Sequence, residues 1–166
     1  LQNTLKPNSK LMKFLVIAQD LRISGTSEGL VSRSFISKLR MAYPKAIIDL
    51  VYLKFHSSED QLQLLPVNTI KDYIIDFSVP FYMKWVNKIY WRLCHESLNE
   101  RYIQKKYTAY LSKIDYNKYD AIFIRSAGLD YEAVLGAKGL PILKKAIINF
   151  HDPYPIFWCA GNDRPL

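Results

Sequence analysis

The residues best placed for chemistry lie in the stretch Lys144–Pro155, KKAIINFHDPYP. An apolar run from Ala146 to Phe150 stops at His151 and Asp152, and two prolines follow. A continuous apolar run reads as a fully buried parallel strand. The residue before a proline is biased towards an extended or turn conformation. The strand therefore delivers an imidazole and a carboxylate to the carboxyl edge of a sheet, where open α/β folds bind ligands. His151 and Asp152 are the candidate catalytic residues. Neighbours on a strand point to opposite faces, so Asp152 orients His151 only if the strand end bends. A structural hydrogen bond is the other reading of a lone histidine at that position.

A second candidate is Ser24-Gly25-Thr26-Ser27-Glu28-Gly29, between the first strand and the first helix. Glycines permit a tight turn and close approach of a ligand, and a helix start offers unpaired N–H groups to an anion. Gly25, Thr26 and Ser27 are the candidate phosphate contacts. The pattern is neither G-x-G-x-x-G nor a Walker A loop, and Glu28 would repel a closely held diphosphate. A connecting turn capped by Thr26 or Ser27 is the alternative. Arg125 and Ser126 end the neighbouring strand and, with Asp20, form a candidate acceptor cleft in the same crevice. The plainer reading of Arg125 is a solvated charge.

The third is Phe81–Arg101, FYMKWVNKIYWRLCHESLNER. Lys84, Lys88 and Arg92 recur every fourth residue and make one basic stripe. Tyr82, Val86, Ile89 and Leu93 lie along an apolar face, with Phe81, Trp85, Tyr90 and Trp91 between the two. Basic residues flanking aromatics suit an interfacial helix on an anionic bilayer, with Lys84, Trp85, Lys88, Trp91 and Arg92 in contact. A packed amphipathic helix whose aromatics belong to the core explains the same pattern. Nucleic acid is a third reading, but no known nucleic-acid motif accompanies the stripe.

Composition bounds these readings. The chain has 166 residues and 19.4 kDa, with 49% hydrophobic and 23% charged residues, which suits one soluble globular domain and excludes disorder for the bulk of it. The net charge of +8 and pI near 9.4 favour an anionic partner, or serve solubility alone. Cys94 and Cys159 give no disulfide framework and no metal-type spacing, which points to a reducing compartment. No apolar stretch approaches the ~20 residues of a membrane span, and Met12–Ala18 is too short for a signal peptide.

The elements that must position these residues read as α/β. Leu1–Lys10 is a polar arm, and Leu1 in place of methionine reads as a processed or truncated start. Leu11–Ala18 is the first strand and Asp20–Gly29 a loop. A helix follows with Val31, Phe35, Leu39 and Ala42 on its apolar face, ending at Tyr43-Pro44. Ala46–Phe55 is the second strand, closing a right-handed parallel βαβ unit. A short helix starts near Ser57, and Leu64–Asp76 holds a short strand. Phe77–Tyr110 is a long helical region with Ser78 as N-cap and Pro80 in the first turn. Tyr119–Arg125 is a strand, Asp130–Lys138 a short helix, Ala146–Phe150 the last strand, and Ile156–Leu166 a linker or cut end.

In order, LMKFLVIAQD, SGTSEG, KYDAIFIRS and AIINFHD make Leu11–Pro155 resemble the N-terminal half of GT-B glycosyltransferases, in particular the family 4-like subgroup. Ser24-Gly25 stands where that family often has Gly-Gly. The resemblance implies a single Rossmann-like, mostly parallel sheet flanked by helices, the acceptor-side domain of a two-domain enzyme. It implies that Gly25, Thr26 and His151 face the cleft, that a nucleotide-sugar is the donor co-substrate, and that no metal or other cofactor is needed. It also implies a glycan or lipid-linked acceptor and work at the cytoplasmic membrane face; no nucleic-acid partner is expected, since no nucleic-acid motif accompanies the basic stripe. The family's donor domain carries paired glutamates spaced E-x7-E, and no such pair occurs among these 166 residues. The chain therefore reads as the acceptor half, with a C-terminal donor domain missing; the alternative is a non-catalytic α/β binding module associating with anionic membrane surfaces or a protein partner.

Overall fold

A computed structural model describes residues 11–24, 27–57, 60–127 and 132–150. Five strands, β1 (Lys13–Ala18), β2 (Ile47–Lys54), β3 (Thr69–Ile74), β4 (Ala121–Arg125) and β5 (Ala146–Asn149), form one sheet. Four helices accompany them, α1 (Ser27–Ala42), α2 (Phe81–Cys94), α3 (Leu98–Leu111) and α4 (Glu132–Gly136). The strand order is β3-β2-β1-β4-β5, and every neighbouring pair is parallel. The central strand β1 is buried at all positions after Lys13. That is the pattern of a strand covered on both faces.

The two faces are closed by different helices. Ile36 and Leu39 of α1 pack with Phe14, Val16, Leu50 and Tyr52. Tyr107 and Leu111 of α3, with Ala133 of α4, pack on Leu15, Ile17, Leu53 and Ile124. The chain builds outwards from β1 to β3, then crosses back to place β4 on the other side of β1. Strand order therefore reverses between β1 and β4, and their carboxyl ends flank the crevice where such sheets take ligands.

Several expectations are corrected. The helical region 77–110 is two helices. His95 adopts a left-handed conformation (φ 54°) and ends α2, and the Ser97 hydroxyl accepts from Glu100 N at 3.2 Å to cap α3. Ser78 is not the N-cap of α2: Pro80 holds that place, while Ser78 N donates to Asp76 Oδ1 at 2.7 Å. In α1 the buried side is Gly29, Ser32, Ile36 and Leu39, and Val31 is exposed. The helix starts two residues before Gly29, and its first turn packs Gly29 on the loop after β1, which sets the rotation. The short element after β2 is a 3-10 turn at Leu62–Leu64. Residues 1–10 and 156–166, expected as an arm and a linker, lie outside the described residues.

Gly136 is where α4 touches α3 most closely. A Cβ there would stand 2.7 Å from Tyr107 Cβ and 3.0 Å from Gln104 O. Its carbonyl accepts from Thr108 Oγ1 at 2.7 Å. Gly136→Val should therefore cost about 1–3 kcal/mol through overpacking, read as a lower urea midpoint at unchanged slope. The exposed Lys138→Ala should leave the midpoint unmoved.

Candidate functional site

The carboxyl ends of β1, β2 and β4 carry a set of buried polar side chains. Just beyond β1, Asp20 is buried and its carboxylate holds Arg22 on both oxygens, with Arg22 Nη2 at 2.6 Å and Nε at 3.1 Å from Oδ2. Asp20 Oδ1 also accepts from Arg22 N at 2.9 Å, which folds the loop tightly. The absence of a side chain at Gly29 allows this: a Cβ there would sit 2.3 Å from Arg22 O. The hydrogen bond to Asp20 raises the Arg22 pKa.

At the end of β4, Arg125 is 4% exposed. Its Nε donates to Ser32 Oγ of α1 at 3.1 Å, and its guanidinium lies 4.7 Å from the centroid of Phe35. Burial lowers its pKa. Arg125 is thus a buried, braced cation and not the solvated charge of the plainer reading. Ser126 is fully buried and donates to Asn149 O at 3.3 Å, tying β4 to the end of β5. Gln19, also fully buried, accepts from Ala133 N through Oε1 at 3.4 Å. That contact orients the amide, and its Nε2 has no hydrogen-bond partner among the described residues. An unsatisfied buried donor costs about 1–3 kcal/mol, so Gln19 marks the switch point as a place with an unmet polar demand.

Beyond β2 lies a titratable cluster that the sequence reading missed. Tyr52 Oη accepts from Leu21 N at 3.2 Å and shares a hydrogen bond with His56 Nε2 at 3.1 Å. Asp60 Oδ2 is 4.0 Å from His56 Nε2 and 3.9 Å from Lys54 Nζ. Burial pushes the Tyr52 phenol far up, and burial lowers His56 below its ordinary 6.5 against the pull of Asp60. A lysine, a histidine and an aspartate closing a buried strand were the available signal.

The sequence-predicted residues separate into two groups. Asp20, Arg125 and Ser126 share the carboxyl edge, though each is already engaged within the fold. Ser27 begins α1, exposed, with its hydroxyl donating to Glu28 Oε2 at 3.2 Å. Gly25, Thr26, His151 and Asp152 lie outside the described residues. Among the described residues, no cluster of three or more His, Cys, Asp or Glu side chains is placed to hold a metal ion.

The second group is α2. Its one buried residue is Asn87, whose Oδ1 accepts from Leu98 N at 2.6 Å and Asn99 N at 3.3 Å. The opposite side is apolar and open: Phe81 is 76% exposed, Trp85 62%, Ile89 63% and Leu93 76%. With Tyr82 and Val86 these cover an arc of about 140° at 3.6 residues per turn. Lys84, Lys88 and Arg92 run along one edge of that arc, Arg92 between Phe81 and Trp85, with Lys88 Nζ 5.3 Å from the Trp85 centroid. Among the described residues Phe81, Tyr82 and Trp85 are therefore not core, while Tyr90 and Trp91 are half-buried. Trp91 is the exception within the expected contact set: half-buried, it stacks edge-on to His95 at 6.0 Å and lies off the open arc. Residues 81–111 hold six basic against two acidic side chains, half of the chain's net charge of +8. No described helix is long and apolar enough to cross a membrane.

The fold and crevice define the class: an open, all-parallel, Rossmann-like α/β domain with its polar residues at the switch point. No model of a known protein family matches the chain, and no curated protein matches it.

His56 supplies a pH test. Its folded pKa lies below the unfolded 6.5, so the unfolded chain binds the extra proton first. Its contribution is complete above about pH 6.5 and is lost as pH falls towards the folded value. Urea midpoints should drop between about pH 7.5 and about pH 5, and His56→Gln should flatten part of that drop.

Proposed function

We propose that this chain is the acceptor-side domain of a nucleotide-sugar-dependent glycosyltransferase that works on an anionic membrane surface. The observation that carries the reading is α2, a helix that buries a polar residue and presents an aromatic-apolar arc with three cations along one edge. Aromatic rings at headgroup depth and cations against anionic lipid suit that arrangement. The resemblance over Leu11–Pro155 supplies the transferase part, and a Rossmann-like sheet with strand order β3-β2-β1-β4-β5 agrees with it. α2 follows the carboxyl end of β3, and α3 must run back to the amino end of β4, so α2 joins the fold at the crevice end of the sheet. A membrane-borne acceptor held by α2 would arrive beside that crevice. There His151 would meet the acceptor hydroxyl, and the loop at Gly25–Ser27 would face the donor phosphates. Catalysis would rest on positioning and on stabilising the departing diphosphate.

A second reading, a non-catalytic module on anionic membranes, is favoured by one observation. Asp20 and Arg125, the charges at the crevice, are already held by Arg22 and Ser32.

Both readings require the bilayer contact. The chain should co-sediment with vesicles containing phosphatidylserine and not with neutral ones. Each basic residue near such a surface is worth about 1 kcal/mol, so Lys84→Gln/Lys88→Gln/Arg92→Gln should lower partition on the order of a hundredfold. Unchanged partition in the triple variant would remove α2 from the contact. The transferase reading makes its own prediction: with the paired glutamates on the donor half, this chain alone turns over no nucleotide-sugar. Sustained sugar transfer by the 166 residues alone would refute the half-enzyme assignment.

A further inference from the structure

A cavity of about 510 Å³ opens on the α3 side of the sheet, at its amino end. It exists because the packing changes there. Val51 and Leu53 of β2 are covered by α3, but Asp49 comes earlier in the strand, and α3 has ended at Leu111. Asp49 pairs in register with Thr69, the first residue of the edge strand β3. Two polar side chains thus form a floor where the core would otherwise continue.

That floor is ordered. Asp49 Oδ1 accepts from Thr69 Oγ1 at 2.6 Å, and Oδ2 accepts from Tyr119 Oη at 2.9 Å. Burial, then the bond to Asp49, raises the Tyr119 pKa. The walls combine rings and cations with one further carboxylate, Asp115. Tyr73 and Tyr110 lie 4.9 Å apart, tilted at 43°. Lys71, Lys113 and Lys118 also line the space, and no carboxylate among the described residues stands within ion-pair distance of any of the three. Lys113 Nζ is instead 5.5 Å from the Tyr110 centroid. Ammonium groups gathered around a concave wall concentrate positive potential within it. The volume is that of a small-molecule site.

We propose that this cavity binds a phosphorylated, hydroxyl-bearing ring compound. Its phosphate meets Lys71, Lys113 and Lys118, its ring lies on Tyr73 and Tyr110, and a ring hydroxyl reaches the Asp49–Thr69 floor. The proposal uses no residue of α2 or of the carboxyl-edge crevice, and it stands whether or not the chain serves sugar transfer.

Isothermal titration of the 166-residue chain with ribose 5-phosphate, ribose and inorganic phosphate tests it. Ribose 5-phosphate should bind more tightly than either fragment. Lys113→Ala/Lys118→Ala, both exposed and outside the sheet, should weaken it by about tenfold or more. Circular dichroism and vesicle partition should be unchanged in that variant. Absence of binding at millimolar ligand, or equal affinity in the variant, would overturn the site. Inorganic phosphate binding as tightly as ribose 5-phosphate would overturn the assignment of a ring to the tyrosines.

Discussion

Burial of the sheet on both faces is the constraint that places everything else. β1, β2 and β4 carry mostly apolar side chains, interrupted in β2 by Asp49, so most of both faces must be covered. One face takes α1, and the other takes α3 with α4. With β3 at one edge and β4 returning beside β1, the carboxyl ends of β1 and β4 are left uncovered by any crossover. Buried Gln19, Asp20, Arg125 and Ser126 lie there. α2 has no sheet face left to cover, and its role must lie elsewhere.

A helix without a place in the core would usually turn its apolar side inward against whatever is nearest. α2 does the reverse because Asn87 is fastened to the start of α3. Its side-chain oxygen satisfies backbone donors that a helix start leaves orphaned. Burying Asn87 commits the helix to one rotation, and at 3.6 residues per turn the aromatic arc then faces outward. An apolar patch of this kind on a water-facing surface marks an interaction site.

The carboxyl edge illustrates how buried charge is managed. Asp20 is neutralised within its own loop by Arg22, and Arg125 is stabilised by a hydroxyl and an aromatic face. Buried charges without such partners would cost several kcal/mol. These contacts rigidify the crevice walls while drawing the named charges away from a ligand. Gln19 differs, because its amide nitrogen is buried without a partner among the described residues. The opposite end of the sheet follows another logic, with three lysines and two tyrosines gathered where α3 stops short. The two ends are thus chemically distinct: charge held within the loops at one, and at the other three lysines that line a cavity with Asp49 and Asp115, none of them in an ion pair among the described residues.

The central strand β1 was legible because a strand buried on both faces needs a continuous apolar run, which is a local requirement, whereas β5, expected from its apolar run to be fully buried, is an edge strand with Ile147 57% exposed. β1, β2, β4 and β5 fall within the expected segments, shortened at their ends where Leu11, Met12 and Tyr119 precede the ladder. The parallel arrangement followed from helical crossovers between them. The break at His95 was not legible, since a left-handed residue other than glycine is held by its surroundings and carries little sequence signal. Nor was the rotation of α1 or α2, because each is chosen by a contact with the neighbouring loop or helix, Gly29 with Arg22 and Asn87 with Leu98, which the periodicity within the helix does not encode. The Tyr52–His56–Asp60 cluster likewise joins groups on a strand and on the loop beyond it. Local apolar runs and turn residues determined which segments are strands and helices. Which side of each helix meets water, and which polar groups meet each other, was decided only by packing, because both depend on contacts between elements and not on the pattern within one.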